Sequence, residues 1–167
     1  RFRKLGESGR CELSVTPYGH PIVPLLLDFQ SARDAVPGMA LPHHPRYTGG
    51  AERAQWHITE GLRVFKEAFG QTPVGCWPSE GAVSRDTLRL LEGAGFKWVA
   101  TSANVLGASL RVAGAADNED PAAYNRPYAL PDSQLHCYFR DDTLSDRIGS
   151  RPLMEELRGL MKISNLI

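Results

Sequence analysis

The chain of 167 residues has no excess of charge of either sign. Its 19 Lys and Arg balance 19 Asp and Glu, so it offers no strong field to nucleic acid or to an anionic membrane surface. A neutral partner suits it better. No apolar run approaches the length of a membrane span, and the first residues lack the basic-then-apolar order of a secretory signal. Cysteine is scarce: Cys11, Cys76 and Cys137 are odd in number, widely spaced and without a CxxC pair, which argues against a disulfide framework or a thiolate zinc site. Each lies in an apolar, strand-like segment, so all three are expected to be buried thiols in a reducing, cytoplasmic setting. A catalytic thiol at Cys76 is the less favoured alternative. HxxxH spacings, internal repeats and low-complexity segments are also missing. What remains, 42% apolar and 23% charged residues, is the composition of an ordinary globular domain able to bury one core.

The apolar residues that are present alternate between two periods. Residues 12–16 read as a strand, and residues 22–33 as a helix that starts after a proline and stops before Pro37-Gly38. Pro37, Pro42, Pro45, Gly49 and Gly50 make residues 35–50 a loop, long enough to line a site. The clearest helix is 51–69, where Ala54, Ile58, Leu62, Phe65 and Phe69 share a face and Gly70 stops the turn. A strand over 72–77, a helix over 84–94 with Leu88, Leu91 and Ala94 inward, and a strand over 97–101 follow, with Gly95 as a C-terminal helix residue. Residues 114–127 read as a surface excursion and 135–140 as a further strand before Asp141-Asp142. The succession strand, helix, strand, helix, strand at this spacing predicts an α/β fold with parallel strands and crossover helices.

One run carries chemistry in its order. In Gly75-Cys76-Trp77-Pro78-Ser79-Glu80-Gly81-Ala82-Val83-Ser84, a strand meets a proline that cannot continue a ladder, and Ser84 opens a helix as N-cap. Glu80 therefore falls in a strand-to-helix loop, where enzymes built of alternating strands and helices carry their catalytic groups. A solvated glutamate stabilised by the helix dipole is the plainer alternative.

Three segments in order resemble glycoside hydrolase family 57. Residues 11–26, Cys11-Glu12-Leu13-Ser14-Val15-Thr16-Pro17-Tyr18-Gly19-His20-Pro21 and onward, resemble the segment in which a strand delivers a His-Pro pair. Trp77-Pro78-Ser79-Glu80-Gly81 is similar to the segment that holds the nucleophile, and Phe139-Arg140-Asp141-Asp142-Thr143-Leu144-Ser145-Asp146-Arg147-Ile148-Gly149 to a stretch of its amylase- or pullulanase-like members. The resemblance implies part of a (β/α)7 barrel over residues 1–149, followed by a divergent helical tail over 150–167. It implies a retaining glycosidase or transglycosidase acting on alpha-glucans, with no metal or other cofactor, Glu80 as nucleophile, and His20, Trp77, Arg140 and Asp146 binding the sugar.

The family's first His-Gln-Pro segment and its later Asp-Gly-Glu segment have no match, and Ser102-Ala103 stands where relatives usually place Asp-Glu after Ala-Thr. The acid/base group is then an aspartate outside the chain or one of Asp141 and Asp142. Neighbouring residues of an extended segment face opposite sides, so at most one of the pair serves. Helix capping or an ion pair with Arg140 or Arg147 is the alternative for both. A partial barrel leaves sheet edges open, so the chain alone is expected to self-associate. Two other classes stay open: a metal-dependent polysaccharide deacetylase-like barrel drawing on His20, Asp28, His43 and His44, and a noncatalytic carbohydrate-binding remnant.

Overall fold

The structure, a computed structural model, describes residues 1–44, 46–115, 121–143 and 145. Asp146 and the tail expected over 150–167 lie outside the described residues. Among the described residues the elements run α1 (Phe2–Glu7), α2 (Val23–Leu27), α3 (Ala32–Ala35), α4 (Gly50–Phe69), β1 (Gly75–Cys76), α5 (Arg85–Gly93), β2 (Trp98–Ser102), α6 (Ala103–Val112) and β3 (His136–Arg140).

The strands form one parallel sheet in the order β1-β2-β3, with Cys76, Val99 and Cys137 aligned across it. Val15 extends the sheet beyond β1 through one parallel bridge to Cys76. There Val15 N–H donates to Gly75 O at 3.1 Å and Trp77 N–H donates to Val15 O at 2.9 Å. The α/β class and the parallel direction match the expectation. Two strands are much shorter than their patterns predicted: 12–16 shrinks to the bridge at Val15, and 72–77 to Gly75–Cys76. Proline explains both, because Pro73 and Pro78 bracket β1 and Pro17 follows Thr16, and none can donate to a ladder.

The helix expected over 22–33 is also broken. Asp28 is extended at φ −156°, and its carboxylate takes the Gln30 N–H at 2.9 Å, opening a 3-10 turn at Phe29–Ser31. A short acidic side chain that bonds its own backbone competes with the helical ladder. α1 and α6 were not legible in the sequence. α6 starts because the Ser102 hydroxyl accepts from Val105 N–H at 3.4 Å. α4 and α5 stand as predicted: Gly70 ends α4 in the left-handed region at φ 74°, and Ser84 caps α5 through Thr87 N–H at 3.2 Å.

Ile58 from α4, Leu88 and Leu91 from α5, and Phe96 pack on Cys76, Val99, Leu135 and Cys137 to form the core. One sheet face is thereby buried. Trp98 and Ala100 on the other face are half-buried, and Tyr138 is exposed. The Trp98 indole lies directly over Gly75, where an added Cβ would come within 2.0 Å of it, and its Nε1–H donates to Glu12 Oε1 at 2.5 Å. Within the excursion after α6, Ala123 is buried, and Tyr128 pairs with Cys137 across the outer edge of β3.

Cysteine needs one correction. Cys76 and Cys137 are buried as expected, but Cys11 is exposed, because the segment around it joins no ladder. Burial pushes the Cys76 thiol up to about 12 and raises that of Cys137, so both stay protonated and unreactive. In the folded chain a thiol reagent at neutral pH should label Cys11 alone. Labelling of Cys76 at a comparable rate would show that the core is open. Gly75→Ala should destabilise by about 1–3 kcal/mol, since the indole must move. The measurement is a lower urea midpoint at unchanged slope; an unchanged midpoint refutes the contact.

Candidate active site

Because all the strands run the same way, four chain segments leave the sheet at its carboxyl edge: 16–20 after Val15, 77–81 after β1, 102–104 after β2 and 141–143 after β3. Among the sequence-predicted site residues, His20, Glu80, Trp77, Arg140, Asp141 and Asp142 all stand on or directly after this edge.

Glu80 sits inside the 3-10 turn Ser79–Gly81 with φ 55° and ψ 19°, a conformation rare outside glycine. The turn is closed by Gly81 N–H to Pro78 O at 2.9 Å and Ala82 N–H to Ser79 O at 3.0 Å. Beneath it, the buried Thr101 hydroxyl of β2 donates to Gly81 O. Gly81 itself is at φ 65°. Opposite, Gly19 and His20 are both left-handed, at φ 70° and 56°, and His20 N–H donates to Pro17 O at 3.1 Å. The two loops meet at one contact: His20 Nε2 and Glu80 Oε1 are 3.0 Å apart. Both side chains are largely open to solvent, 54% and 74%. With Nε2 protonated, His20 fixes one carboxylate oxygen and leaves the other open.

A second group lies at the ends of β1 and β3. The Arg140 guanidinium stands 5.3 Å from the centre of the Trp77 ring and binds Asp142 Oδ1 through Nη2 at 3.1 Å and Nε at 3.3 Å. The other Asp142 oxygen accepts Asn104 N–H at 3.4 Å, in the first turn of α6. Asp142 thus makes the ion pair that was its alternative reading and also meets a helix N-terminus. Asp141 is exposed beside it. Both aspartates line a cavity of 370 Å³ with Asn104, Tyr124 and Asn125.

No three His, Cys, Asp or Glu side chains among the described residues stand close enough to share a metal ion. Asp28 is spent on the Gln30 amide and His20 on Glu80, so the donor set considered for a deacetylase does not converge. Sequence reasoning passed over Thr101 and Asn104. A buried threonine in β2 gave no signal until the register showed it under Gly81. Asn104 contributes its backbone, which side-chain identity does not reveal.

The parallel α/β sheet brings a loop glutamate, a histidine and paired aspartates to its carboxyl edge, the edge at which folds of alternating strands and helices carry their sites. The sequence model of Glycosyl hydrolase family 57 matches residues 1–153, and the chain belongs to that family. Among solved structures, a 4-alpha-glucanotransferase from Thermococcus litoralis is 17% identical over 95% of this chain and 20% of its own, at TM-score 0.58. An alpha-amylase from Thermotoga maritima is 18% identical over 84% and 21%, at 0.56. A branching enzyme from Thermococcus kodakaraensis is 19% identical over 90% and 26%, also at 0.56. At such identities the likeness is one of fold. The chain spans about a fifth to a quarter of the length of these three structures. No curated protein matches it.

Thr101→Val should destabilise the chain by about 1–3 kcal/mol, because it leaves the buried Gly81 carbonyl without its donor. Equal urea midpoints for the two proteins would show that Thr101 does not hold the Glu80 turn.

Proposed function

We propose that the chain carries the nucleophile half of a retaining active site that acts on alpha-glucans. The observation that carries this reading is the contact between His20 and Glu80 at the carboxyl edge of a sheet whose sequence belongs to Glycosyl hydrolase family 57. The titles of the similar structures, an alpha-amylase, a 4-alpha-glucanotransferase and a branching enzyme, support an oligo- or polysaccharide of glucose as substrate.

In this reading Glu80 attacks the anomeric carbon while the glycosidic C–O bond breaks and a carboxylic acid protonates the leaving oxygen. A glycosyl ester forms on Glu80. The acid, now a carboxylate, then takes the proton of water or of a sugar hydroxyl as that oxygen displaces Glu80. His20 orients the Glu80 carboxylate through its one contacted oxygen. Trp77 offers a ring to a pyranose, and Arg140 steadies that ring and Asp142 together. Asp141 or Asp142 is the acid/base if this chain supplies it, and an aspartate outside residues 1–167 if it does not. Retention needs the two carboxyl groups roughly 5 to 5.5 Å apart. Asp142 has one oxygen on Arg140 and the other on the Asn104 amide, while Asp141 is exposed beside it. Asp146 completes the proposed sugar contacts.

The finer fold is a (β/α)7 barrel, of which residues 1–149 would form part and 150–167 a separate tail. Its support is the sheet's second face: α4 and α5 pack on one side, and the side of Trp98, Ala100 and Tyr138 is left for an interior. Self-association of the isolated chain and a cytoplasmic setting complete the proposal. No helix among the described residues is long and apolar enough to cross a membrane.

The test uses the chain expressed with the coding sequence that flanks it. Glu80→Gln should lower turnover of maltooligosaccharides on the order of 10³-fold or more and leave the thermal midpoint unchanged, because Glu80 is exposed and packs on little. A slow fluoro-sugar should leave a glycosyl group on a peptide containing Glu80. Activity within about tenfold of the parent removes the assignment.

A further inference from the structure

Beside the edge that carries His20 and Glu80 stands an aromatic group that the chemistry above does not use. Trp56, on the outer side of α4, is 53% exposed, and Tyr18 is 45% exposed. The two rings meet edge to face, with centroids 5.7 Å apart at 89°, and the His57 ring meets the indole at 4.9 Å and 74°. Neither neighbour lies parallel to the indole, so no described ring stacks on it.

The arrangement is held from below. Tyr18 N–H donates to His57 O at 2.9 Å, and the His57 Nδ1–H reaches Tyr18 O at 2.6 Å. Gly61 completes the fit, since a Cβ there would approach Tyr18 N at 3.2 Å. Next to Trp56, Gly49, Glu52 and Arg53 line an open cavity of 380 Å³. Tyr47 keeps Arg53 in place, with the guanidinium 5.8 Å from its ring centre.

A pyranose has an apolar C–H face and a rim of hydroxyls that both donate and accept. Trp56 suits the first, and Glu52 as acceptor and Arg53 as donor suit the second. Charges of opposite sign so close to the indole leave the patch too interrupted to bury the apolar area that a stable dimer needs. They match a neutral, polyhydroxylated chain. Tyr18 is two residues before His20, so the aromatic group and the histidine of the candidate pair are carried on one short segment.

We propose that Trp56, braced by Tyr18 and flanked by Glu52 and Arg53, is a stacking subsite for one glucose unit of an alpha-glucan whose reacting linkage lies at His20 and Glu80. This rests on the glucan reading above and extends it to longer chains than the catalytic pair alone would grip. The experiment is calorimetric titration of the chain with maltoheptaose. Trp56→Ala should weaken binding about tenfold or more, as truncation of a tryptophan anchor does. Trp56→Tyr, which keeps a ring, should stay within about threefold, since an aromatic face is retained. Parent-like binding by Trp56→Ala overturns the subsite and leaves the glucan reading standing. No binding by the parent chain overturns both. A parent dimer that Trp56→Ala turns into a monomer in sedimentation assigns this face to a second copy and overturns the subsite.

Discussion

The candidate site depends on one backbone bridge. Val15 N–H to Gly75 O and Trp77 N–H to Val15 O are the hydrogen bonds that fix the first segment to the sheet in parallel. Everything between Val15 and His20 is then short and stiff, with Pro17 and the left-handed Gly19 leaving the chain little freedom. Displace that bridge and His20 no longer faces Glu80. The bridge is a single pair, and two intramolecular hydrogen bonds contribute only about 1–3 kcal/mol net, so the segment needs further anchorage. α4 supplies it: His57 takes both backbone groups of Tyr18, and Gly61 lets the segment lie against the helix. The same contacts that seat the histidine also seat Tyr18 against Trp56.

On the other side of Glu80 the sheet acts through β2. Cys76 and Val99 are aligned, and two residues further along β2 Thr101 rises under the turn to hold Gly81. Gly75 is required one step earlier because the Trp98 indole occupies the space of a side chain. Large and small residues are thus paired across neighbouring strands. This pairing lets a strand of two residues carry a loop whose position matters.

Much of this was legible in the sequence, for physical reasons that differ by element. α4 and α5 announce themselves because their faces are amphipathic and their ends carry a left-handed Gly70 and a capping Ser84. The order of segments follows from the apolar periods and their Pro and Gly stops, and the loop position of Glu80 from Pro78 before it and the capping Ser84 after it. The extent of strands did not, because a window of apolar residues registers burial and not hydrogen bonding, and the prolines at 17, 73 and 78 remove donors that pairing needs. Cys11 misled in the same way. α6 was hidden by Ser102, whose capping role looks, in sequence, like the mere loss of an acidic residue. The pairing of Arg140 with Asp142 was open to inspection as an alternative, but its connection to Trp77 and to Asn104 required the register of β1, β2 and β3.

Strain gives the last link between fold and site. Among the described residues, non-glycine positions with positive φ are His20, Glu80 and Asp132, so both members of the contacting pair are in that group. Such conformations cost on the order of 1–3 kcal/mol each and persist only where the surroundings over-determine them. Here they do: Pro17 O and the left-handed Gly19 set His20, while the closed turn and Thr101 set Glu80. The adjacent Ser79 hydroxyl is buried without a partner among the described residues, a further cost at the same turn. A surface glutamate needing only solvation would relax out of this geometry. Its retention, with 74% of the side chain still exposed, means that the fold spends stability to aim a carboxylate outward. The same turn that leaves the carboxylate open to solvent also keeps one of its oxygens on His20, so strain and contact fall on a single residue pair.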